Sequence, residues 1–310
     1  MTVYQHIRRN NIKTAILVAL FPIMFIAVMW AAFLIAAFFV DGADPLQFAT
    51  EHAIMVSIPT AVACLVWMLI SWMFGDSMIL SAANAKELSN RDPDYKYLYK
   101  EVENVALAAG LPTPRVYIIE EAGANAFATG RSPGDASVAF TRGIVERLDA
   151  RELRGVIAHE LAHVQNRDIR LDMLLITGIG ATIFAANILA RSMFFRGRGG
   201  GNRNDGRVML VIMAAWAGLM VFNFLIAPLL RKAISRTREY SADATGALMT
   251  RDPKALASAL EKISKNPKVA AVEGKSSMNA MFIAEPFAKL AGLYSTHPSI
   301  KSRVARLEKM

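Results

Sequence analysis

Two histidines lie four positions apart in the stretch His159-Glu160-Leu161-Ala162-His163, and a glutamate directly follows the first of them. In an α-helix this spacing puts both imidazoles on one face, about 6 Å apart, so that they can bind one metal ion. Glu160 projects beside the same face, where its carboxylate can accept a proton from a water activated by that metal. The pattern predicts a metal site with His159 and His163 as ligands and Glu160 as general base.

A catalytic zinc site needs three protein ligands and one open position, so the two histidines require a third group. The stretch Arg238-Glu239-Tyr240-Ser241-Ala242-Asp243 places Glu239 and Asp243 one helical turn apart on one face. His163 and Glu239 also lie at similar distances from the ends of two consecutive apolar runs, so a helical hairpin would bring both to the same height. We therefore predict Glu239 as the third ligand and Asp243 as a carboxylate that orients a ligand histidine.

The overall composition is that of an integral membrane protein. The 310 residues are 54% hydrophobic and 20% charged, with a mean hydropathy of +0.32, whereas soluble domains average about 45–50% apolar and about 25% charged residues. The single cysteine, Cys64, excludes an intrachain disulfide and a multi-cysteine zinc cluster, which leaves histidine and carboxylate ligands. The net charge of +9 comes without basic–aromatic interleaving or a known module, so we predict no nucleic-acid partner.

Four apolar runs are candidates for membrane-spanning helices, which need about 20 mostly apolar residues. They cover residues 15–40, 53–75, 173–190 and 208–230. Arg8, Arg9 and Lys13 precede the first run, and the connection to the second has no lysine or arginine, so the N-terminus and residues 76–170 are expected in the cytoplasm. The connection 191–207 is rich in arginine and would then lie outside, which leaves open whether the second hairpin crosses fully.

The polar segments predict an α+β, mostly helical domain with a small sheet. Helices are expected over 95–109, from Asp149, over 231–250, after Asp252 and over 300–309, and strands over 115–120, 126–129 and 136–141. Asp149 and Glu152 form a capping box at the start of the helix that carries the two histidines. The predicted organisation is a cytoplasmic N-terminus (1–14), a transmembrane hairpin (15–75), one part of the domain that carries the metal site (76–170), a second hydrophobic hairpin (171–230) and the rest of that domain (231–310).

These motifs together resemble the HtpX membrane zinc metalloproteases, which are bacterial relatives of the CAAX prenyl proteases. The likeness rests on the histidine motif with Asn166 and Asp168 after it, on the Glu239–Asp243 stretch after a hydrophobic hairpin, and on residues 125–130 and 296–298. The resemblance implies a zincin-like domain of the gluzincin type, with His159, His163 and Glu239 on one zinc ion. It also implies a multi-pass protein of the bacterial inner membrane, an active site facing the cytoplasm, and a role in protein quality control under stress.

Three further residues are candidates for roles at such a site. The oxyanion formed during peptide hydrolysis needs a hydrogen-bond donor besides the metal, and His297 is the first candidate, with Asn125 second. Both residues have a plain alternative, since His297 precedes Pro298 at a helix start and Asn125 is typical of a turn. Arg303 either orients a carboxylate near the site or lies on a solvated helix face.

The segment 136–140 is a candidate for binding an extended peptide. Ser137, Val138 and Ala139 would form an exposed sheet edge whose backbone groups pair with the substrate, or else they belong to an interior strand. Backbone pairing suits a protease that acts on unfolded chains.

The leading hypothesis is a membrane-anchored zinc endopeptidase whose partners are the lipid bilayer and unfolded or membrane proteins. A CAAX-type protease is the second enzyme hypothesis, although its relatives enclose a chamber with more spans. A membrane scaffold is the alternative from another class, with a structural zinc on His159, His163, Glu239 and Asp243. Such a closed site has no need of Glu160. The sequence makes no prediction of the oligomeric state.

Overall fold

The computed structural model describes residues 3–38, 44–196, 203–265, 282–283 and 298–310. The helices in these residues are α1 (Val3–Ala37), α2 (Pro45–Ala82), α3 (Lys96–Ala108), α4 (Arg142–Arg147), α5 (Ala150–Gln165), α6 (Asp168–Arg196), α7 (Arg203–Val221), α8 (Ala227–Thr250), α9 (Pro253–Lys265) and α10 (Ile300–Leu307). The strands are β1 (Lys86–Glu87), β2 (Arg115–Ile119), β3 (Ala126–Gly130) and β4 (Ala136–Thr141). A π-helical turn, Phe222–Ile226, joins α7 to α8. The expected mostly helical α+β fold is confirmed.

The small sheet separates two apolar layers. Its strand order is β1-β2-β4-β3, with β2 and β4 parallel and the other neighbours antiparallel. Side chains alternate between the two faces of a strand. One face packs on residues of α3, α5 and α9, and it carries Val116, Ile118, Val138 and Phe140. The opposite face packs on the end of α2 and the start of α6, and it carries Tyr117, Ile119, Phe127 and Ala139.

Strand β4 is an interior strand, so the prediction of an exposed edge at residues 136–140 is wrong. Ser137, Val138 and Ala139 pair with β2 on one side and with β3 on the other. All six residues of β4 are buried, and their backbone groups are already used within the sheet. The outer strand beside β4 is β3. Local sequence cannot distinguish the two, because strand order is set by long-range pairing.

The chain divides into two compact units. The first comprises Met1–Lys13, Trp72–Thr177 and Arg231–Met310, and it contains the sheet. The second comprises Thr14–Ser71 and Gly178–Leu230, and its helices pack through apolar contacts such as the edge-to-face pair Phe21–Phe222, whose ring centroids are 5.4 Å apart.

Apolar helices long enough to cross a membrane are present in the described part of the chain. Three helical segments qualify by length and composition, namely Thr14–Ile35, Ala61–Ala82 and Asp168–Met193. They correspond to the first three predicted runs. The fourth run gives a shorter apolar stretch, Ile212–Ile226. In the first two segments only about a quarter of the most apolar window is buried (25% and 22%), which fits helices whose side chains face lipid.

Candidate metal centre

Helix α5 carries the paired histidines, and local hydrogen bonds fix its start and its packing. Asp149 caps the helix by accepting from the backbone N–H groups of Arg151 and Glu152, both at 2.9 Å. The Glu152 carboxylate accepts in return from the Asp149 N–H at 2.9 Å, so the predicted capping box is confirmed. Glu152 also accepts from Ser258 and Lys262 of α9, both at 2.6 Å, which holds α5 against that helix.

Helix α8 approaches α5 closely because a glycine lies at the contact. A Cβ atom on Gly246 would meet the backbone nitrogen of His159 at 3.0 Å. Asp243 and Glu239 lie one and two turns earlier on α8, and they are only 3% and 5% exposed. The close approach of the two helices therefore places both carboxylates beside the histidines of α5.

His159, His163 and Glu239 form a cluster that could hold a metal ion, with His159 and Glu239 buried and His163 partly exposed. Each offers one ligand atom, and the three atoms lie within 4.8 Å of one another. Glu239 lies 3.7 Å from the Nε2 atom of each histidine, through a different carboxylate oxygen in each case. Two imidazoles and one carboxylate are a donor set that suits Zn²⁺. The residues present therefore fit the metal that the sequence predicts. Glu160 is buried directly after His159, with 2% of its surface exposed.

Each histidine of the cluster has its own carboxylate at the second ring nitrogen. Asp243 Oδ1 lies 3.1 Å from His159 Nδ1, and Asp168 Oδ2 lies 2.9 Å from His163 Nδ1. Such contacts fix the ring and its tautomer and leave Nε2 to bind a metal. Nε2 is also the atom of each ring that faces Glu239. The predicted contact of Asp243 with a cluster histidine is present, whereas the role of Asp168 was not predicted.

Asp168 reaches His163 through a sharp change of direction between α5 and α6. Arg167 adopts a left-handed conformation with φ of 59°, so Asp168 starts a new helix. The spacing of five residues between His163 and Asp168 is not a same-face spacing in a continuous helix. Helical periodicity therefore could not predict the contact between Asp168 and His163. The one indication in the sequence was that an acidic residue follows the His159–His163 motif within a few positions.

Arg303 lies within the cluster and not on a solvated face. It is fully buried, and it donates to both carboxylate oxygens of Asp243, at 2.9 and 2.7 Å. Its guanidinium also lies 3.3 Å from Glu239 Oε2. Of the two predictions made for this residue, orientation of a carboxylate is the one the structure supports. The sequence could not decide between them, because α10 carries a second arginine, Arg306, that is exposed, and a solvated position is the usual one for arginine.

Burial and neighbouring charges shift the pKa values of the cluster in opposite directions. Burial alone lowers the pKa of His163, but the hydrogen bond to Asp168 and the charge of Glu239 outweigh it and raise this pKa to about 9. Burial and the Arg303 charge lower the pKa of His159. Burial raises the pKa of Asp243, but the Arg303 charge and the hydrogen bond to His159 outweigh it and the pKa is lowered.

The two candidate oxyanion donors differ in what the structure describes. Asn125 is buried just before β3, where its side-chain oxygen accepts from the Ala126 N–H at 3.1 Å and its backbone N–H donates to Thr141 Oγ1 at 2.8 Å. These contacts fit the turn interpretation. His297 lies outside the described residues, as does the glycine-rich part of the 191–207 connection. The proposed role of His297 stays a prediction.

Comparison with known proteins gives the class of protein that this fold and site indicate, a membrane metalloprotease. The chain belongs to peptidase family M48, whose model matches residues 93–310. That match covers strands β2 to β4, the histidine helix, the carboxylate helix and Arg303.

Relatives that match three quarters of the chain or more carry the description "Protease HtpX homolog". One from Bacteroides fragilis is 36% identical over 97% of this chain and 96% of its own length. One from Lactobacillus helveticus is 34% identical over 99% of each chain, and one from Ralstonia nicotianae is 45% identical over 77% of this chain and 82% of its own. Among solved structures, S. mikatae Ste24p matches 97% of this chain and 66% of its own length, at 17% identity and a TM-score of 0.46.

Proposed function

We propose that the protein is a membrane-anchored zinc endopeptidase that hydrolyses misfolded membrane or membrane-associated proteins at the cytoplasmic face of a bacterial inner membrane. The observation that carries this proposal is the cluster of His159, His163 and Glu239 with Glu160 beside it. Membership of peptidase family M48 supports it. The cytoplasmic orientation rests on the basic residues before the first apolar segment, and a role under stress is typical of the family.

Each residue of the cluster has a separate role in the proposed hydrolysis of a peptide bond. A zinc ion bound there would supply a Lewis acid that polarises the scissile carbonyl and makes water nucleophilic at neutral pH. Glu160 accepts the proton of the attacking water on its carboxylate and then donates it to the leaving amine. Asp243 and Asp168 keep the two imidazoles oriented throughout, and their burial excludes competing solvent. His297, or else Asn125, donates a hydrogen bond to the developing oxyanion.

An extended substrate would pair with strand β3, which lies beyond the interior strand β4. Thr141 N–H donates to the Asn125 carbonyl at 3.0 Å, so the backbone groups of Asn125 point towards β4. By strand alternation, those of Ala126 and Ala128 point away from β4. Both backbone groups of Ala126 are already used, because its N–H donates to Asn125 Oδ1 and its carbonyl accepts from the Ile283 N–H, so the substrate would pair from Ala128 onwards. Recognition through backbone groups reads little side-chain sequence, which suits a protease that removes unfolded segments.

The proposal is tested with metal-loaded, detergent-purified protein and an unfolded test protein. The variant Glu160→Gln is compared with the unchanged protein and with Glu261→Gln, an exposed glutamate on α9. We expect all three to bind one zinc per chain, and we expect Glu160→Gln to lose at least about 100-fold in cleavage rate, in line with the typical contribution of a general base.

Failure of all three proteins to cleave any unfolded protein, with zinc bound in each, would favour a structural zinc scaffold. One observation already speaks against a closed four-ligand site. Both oxygens of Asp243 accept hydrogen bonds from Arg303, so this carboxylate is engaged with the guanidinium.

A further inference from the structure

Arg303 occupies a core position on the short amphipathic helix α10. Val304 and Leu307 of the same helix join the apolar core, and Lys301 and Arg306 are exposed. Arg303 is the largest side chain among those that are fully buried in the described residues. A buried guanidinium is costly unless every donor finds an acceptor, so its partners explain why it is tolerated there.

Those partners are the carboxylates of the metal cluster. The Arg303 Nε and Nη2 atoms donate to the two oxygens of Asp243, at 2.9 and 2.7 Å, in the bidentate geometry that arginine favours. Asp243 Oδ1 is also the oxygen that lies 3.1 Å from His159 Nδ1. Arg303 Nη1 lies 3.3 Å from Glu239 Oε2. Arg303 Nη2 also lies 3.2 Å from His159 Nε2. The guanidinium therefore contacts two metal-ligand candidates directly, and it restrains His159 further through Asp243.

The same guanidinium holds a segment of chain at the outer edge of the sheet. Arg303 Nη1 donates to the Ile283 carbonyl at 3.1 Å, and the Ile283 N–H donates to the Ala126 carbonyl of β3 at 3.0 Å. Phe282 packs edge-on against Phe127, with ring centroids 5.2 Å apart. Ile283 belongs to the core on the α5 side of the sheet and Phe282 to the core on the other side. The pair thus lies beside β3 with the side-chain alternation of a strand.

We propose that Arg303 is the positioning residue of this metal centre, because its guanidinium fixes Asp243 and Glu239 and joins them through Ile283 to the outer edge of β3. The inference rests on the proposed function, since β3 is the strand on which an extended substrate would pair. It adds that the metal ligands and the substrate-pairing edge form one hydrogen-bonded unit. Loosening the guanidinium disturbs both ends of that unit.

The test compares Arg303→Lys with Arg154→Lys in the full-length, detergent-purified protein. Lysine keeps the charge but cannot make the bidentate contact. Arg154 is a matched control because it also pairs with a buried carboxylate, Glu101, while that pair contacts none of the cluster residues. Three properties are measured: zinc affinity by chelator competition, kcat and KM on an unfolded protein, and amide hydrogen exchange of peptides covering 126–128 and 282–283 in the metal-free protein. Melting temperature is recorded to confirm that both variants fold.

For Arg303→Lys we expect zinc affinity to fall about 10- to 100-fold, as for other residues that orient metal ligands. We expect kcat to fall more than KM rises, and exchange at 282–283 to quicken. Arg154→Lys should change none of these three readouts. The proposal is overturned if Arg303→Lys binds zinc as tightly as the unchanged protein, or if Arg154→Lys loses affinity to the same extent at an equal drop in melting temperature.

The zinc-affinity and exchange readouts do not depend on proteolysis. If the unchanged protein binds zinc but cleaves no unfolded protein, the proposed endopeptidase function fails. A fall in zinc affinity confined to Arg303→Lys would still support the positioning role in that case.

Discussion

At the scale of single residues, the two histidines of the metal centre are held by carboxylates from different helices. His159 contacts Asp243 of α8, and His163 contacts Asp168 at the start of α6. The imidazole of His163 lies near the negative charges of Glu239 and Glu160, and these charges, like that of Asp168, raise the pKa of His163. We therefore expect His163 to hold a proton at neutral pH in the metal-free protein, which a metal would have to displace.

We expect zinc affinity to rise with pH up to about 9, because the raised pKa of His163 lies there. Below that pH the protonated ring competes with the metal, so affinity should fall by about tenfold for each pH unit between 9 and 7. Chelator competition across this range measures the slope. A flat profile from pH 7 to 9 would show that His163 is neutral in the metal-free protein.

Replacing Asp168 by asparagine should change that profile in two ways. Losing the negative charge lowers the pKa of His163, so the pH-dependent fall in zinc affinity should begin at a lower pH than in the unchanged protein. Losing the carboxylate partner should also lower the affinity measured at pH 9 by about 10- to 100-fold. The control is Glu146→Gln, which removes a charge that pairs with Arg142 on the surface. An Asp168→Asn profile that overlays the unchanged one would contradict the assigned role.

At the scale of elements, the metal centre depends on how closely α8 can approach α5. Gly246 faces the backbone of His159, and one turn earlier on α5 a Cβ atom at Gly155 would lie 3.0 Å from the backbone nitrogen of Leu256 in α9. Helix α5 is thus in close backbone contact with two neighbouring helices. The ligand geometry follows from the spacing of these helices as much as from the ligands themselves.

We expect Gly246→Ala to weaken both the fold and the metal centre. The added methyl group meets backbone atoms and not a flexible side chain, so α8 must shift, at a cost of about 1–3 kcal/mol typical of overpacking. Zinc affinity should fall with it. Thermal unfolding and chelator competition measure the two effects.

The matched control is Gly180→Ala in α6. It is also a helical glycine, but a Cβ atom there meets nothing within 4 Å, so it should leave zinc affinity unchanged and keep or raise stability. Equal behaviour of the two variants would mean that the α5–α8 contact tolerates expansion.

At the scale of the whole molecule, the chain combines a polar unit containing the sheet with a unit of apolar helices. The peptidase family model begins at residue 93, after the first two candidate spans. In sequence, the histidine motif therefore lies between the candidate spans Ala61–Ala82 and Asp168–Met193. On which side of a membrane this motif lies decides which proteins it can reach.

The expected cytoplasmic orientation can be tested by cysteine labelling in intact bacterial cells. In a Cys64→Ala background, Gln47→Cys and Glu120→Cys each place one thiol at an exposed position. A membrane-impermeant maleimide should label residue 47 but not residue 120, and permeabilised cells should show labelling at both. Labelling of residue 120 in intact cells would place the protease domain outside.

Features that depend on local spacing and on composition could be predicted from the sequence. The metal-ligand candidates of α5 lie a helical turn apart, the Asp149 capping box is a four-residue pattern, and the apolar segments are long runs that need no partner to be recognised. Glu239 and Asp243 were also found this way, since one turn of helix separates them. Each of these features is fixed by neighbours along the chain.

Features that depend on contacts between distant segments are visible only in the folded chain. The interior position of β4 follows from its pairing with β2 and β3 on opposite sides. The contact between Asp168 and His163 requires the change of backbone direction at Arg167. The contact between Arg303 and Asp243 requires α10 to pack beside α8 with the guanidinium of Arg303 buried in the core. Hydrogen bonds and close packing between segments far apart in sequence produce no periodic pattern in either segment. The contacts that Asp168 and Arg303 make at this candidate metal centre therefore could not be predicted before the packing of the helices was known.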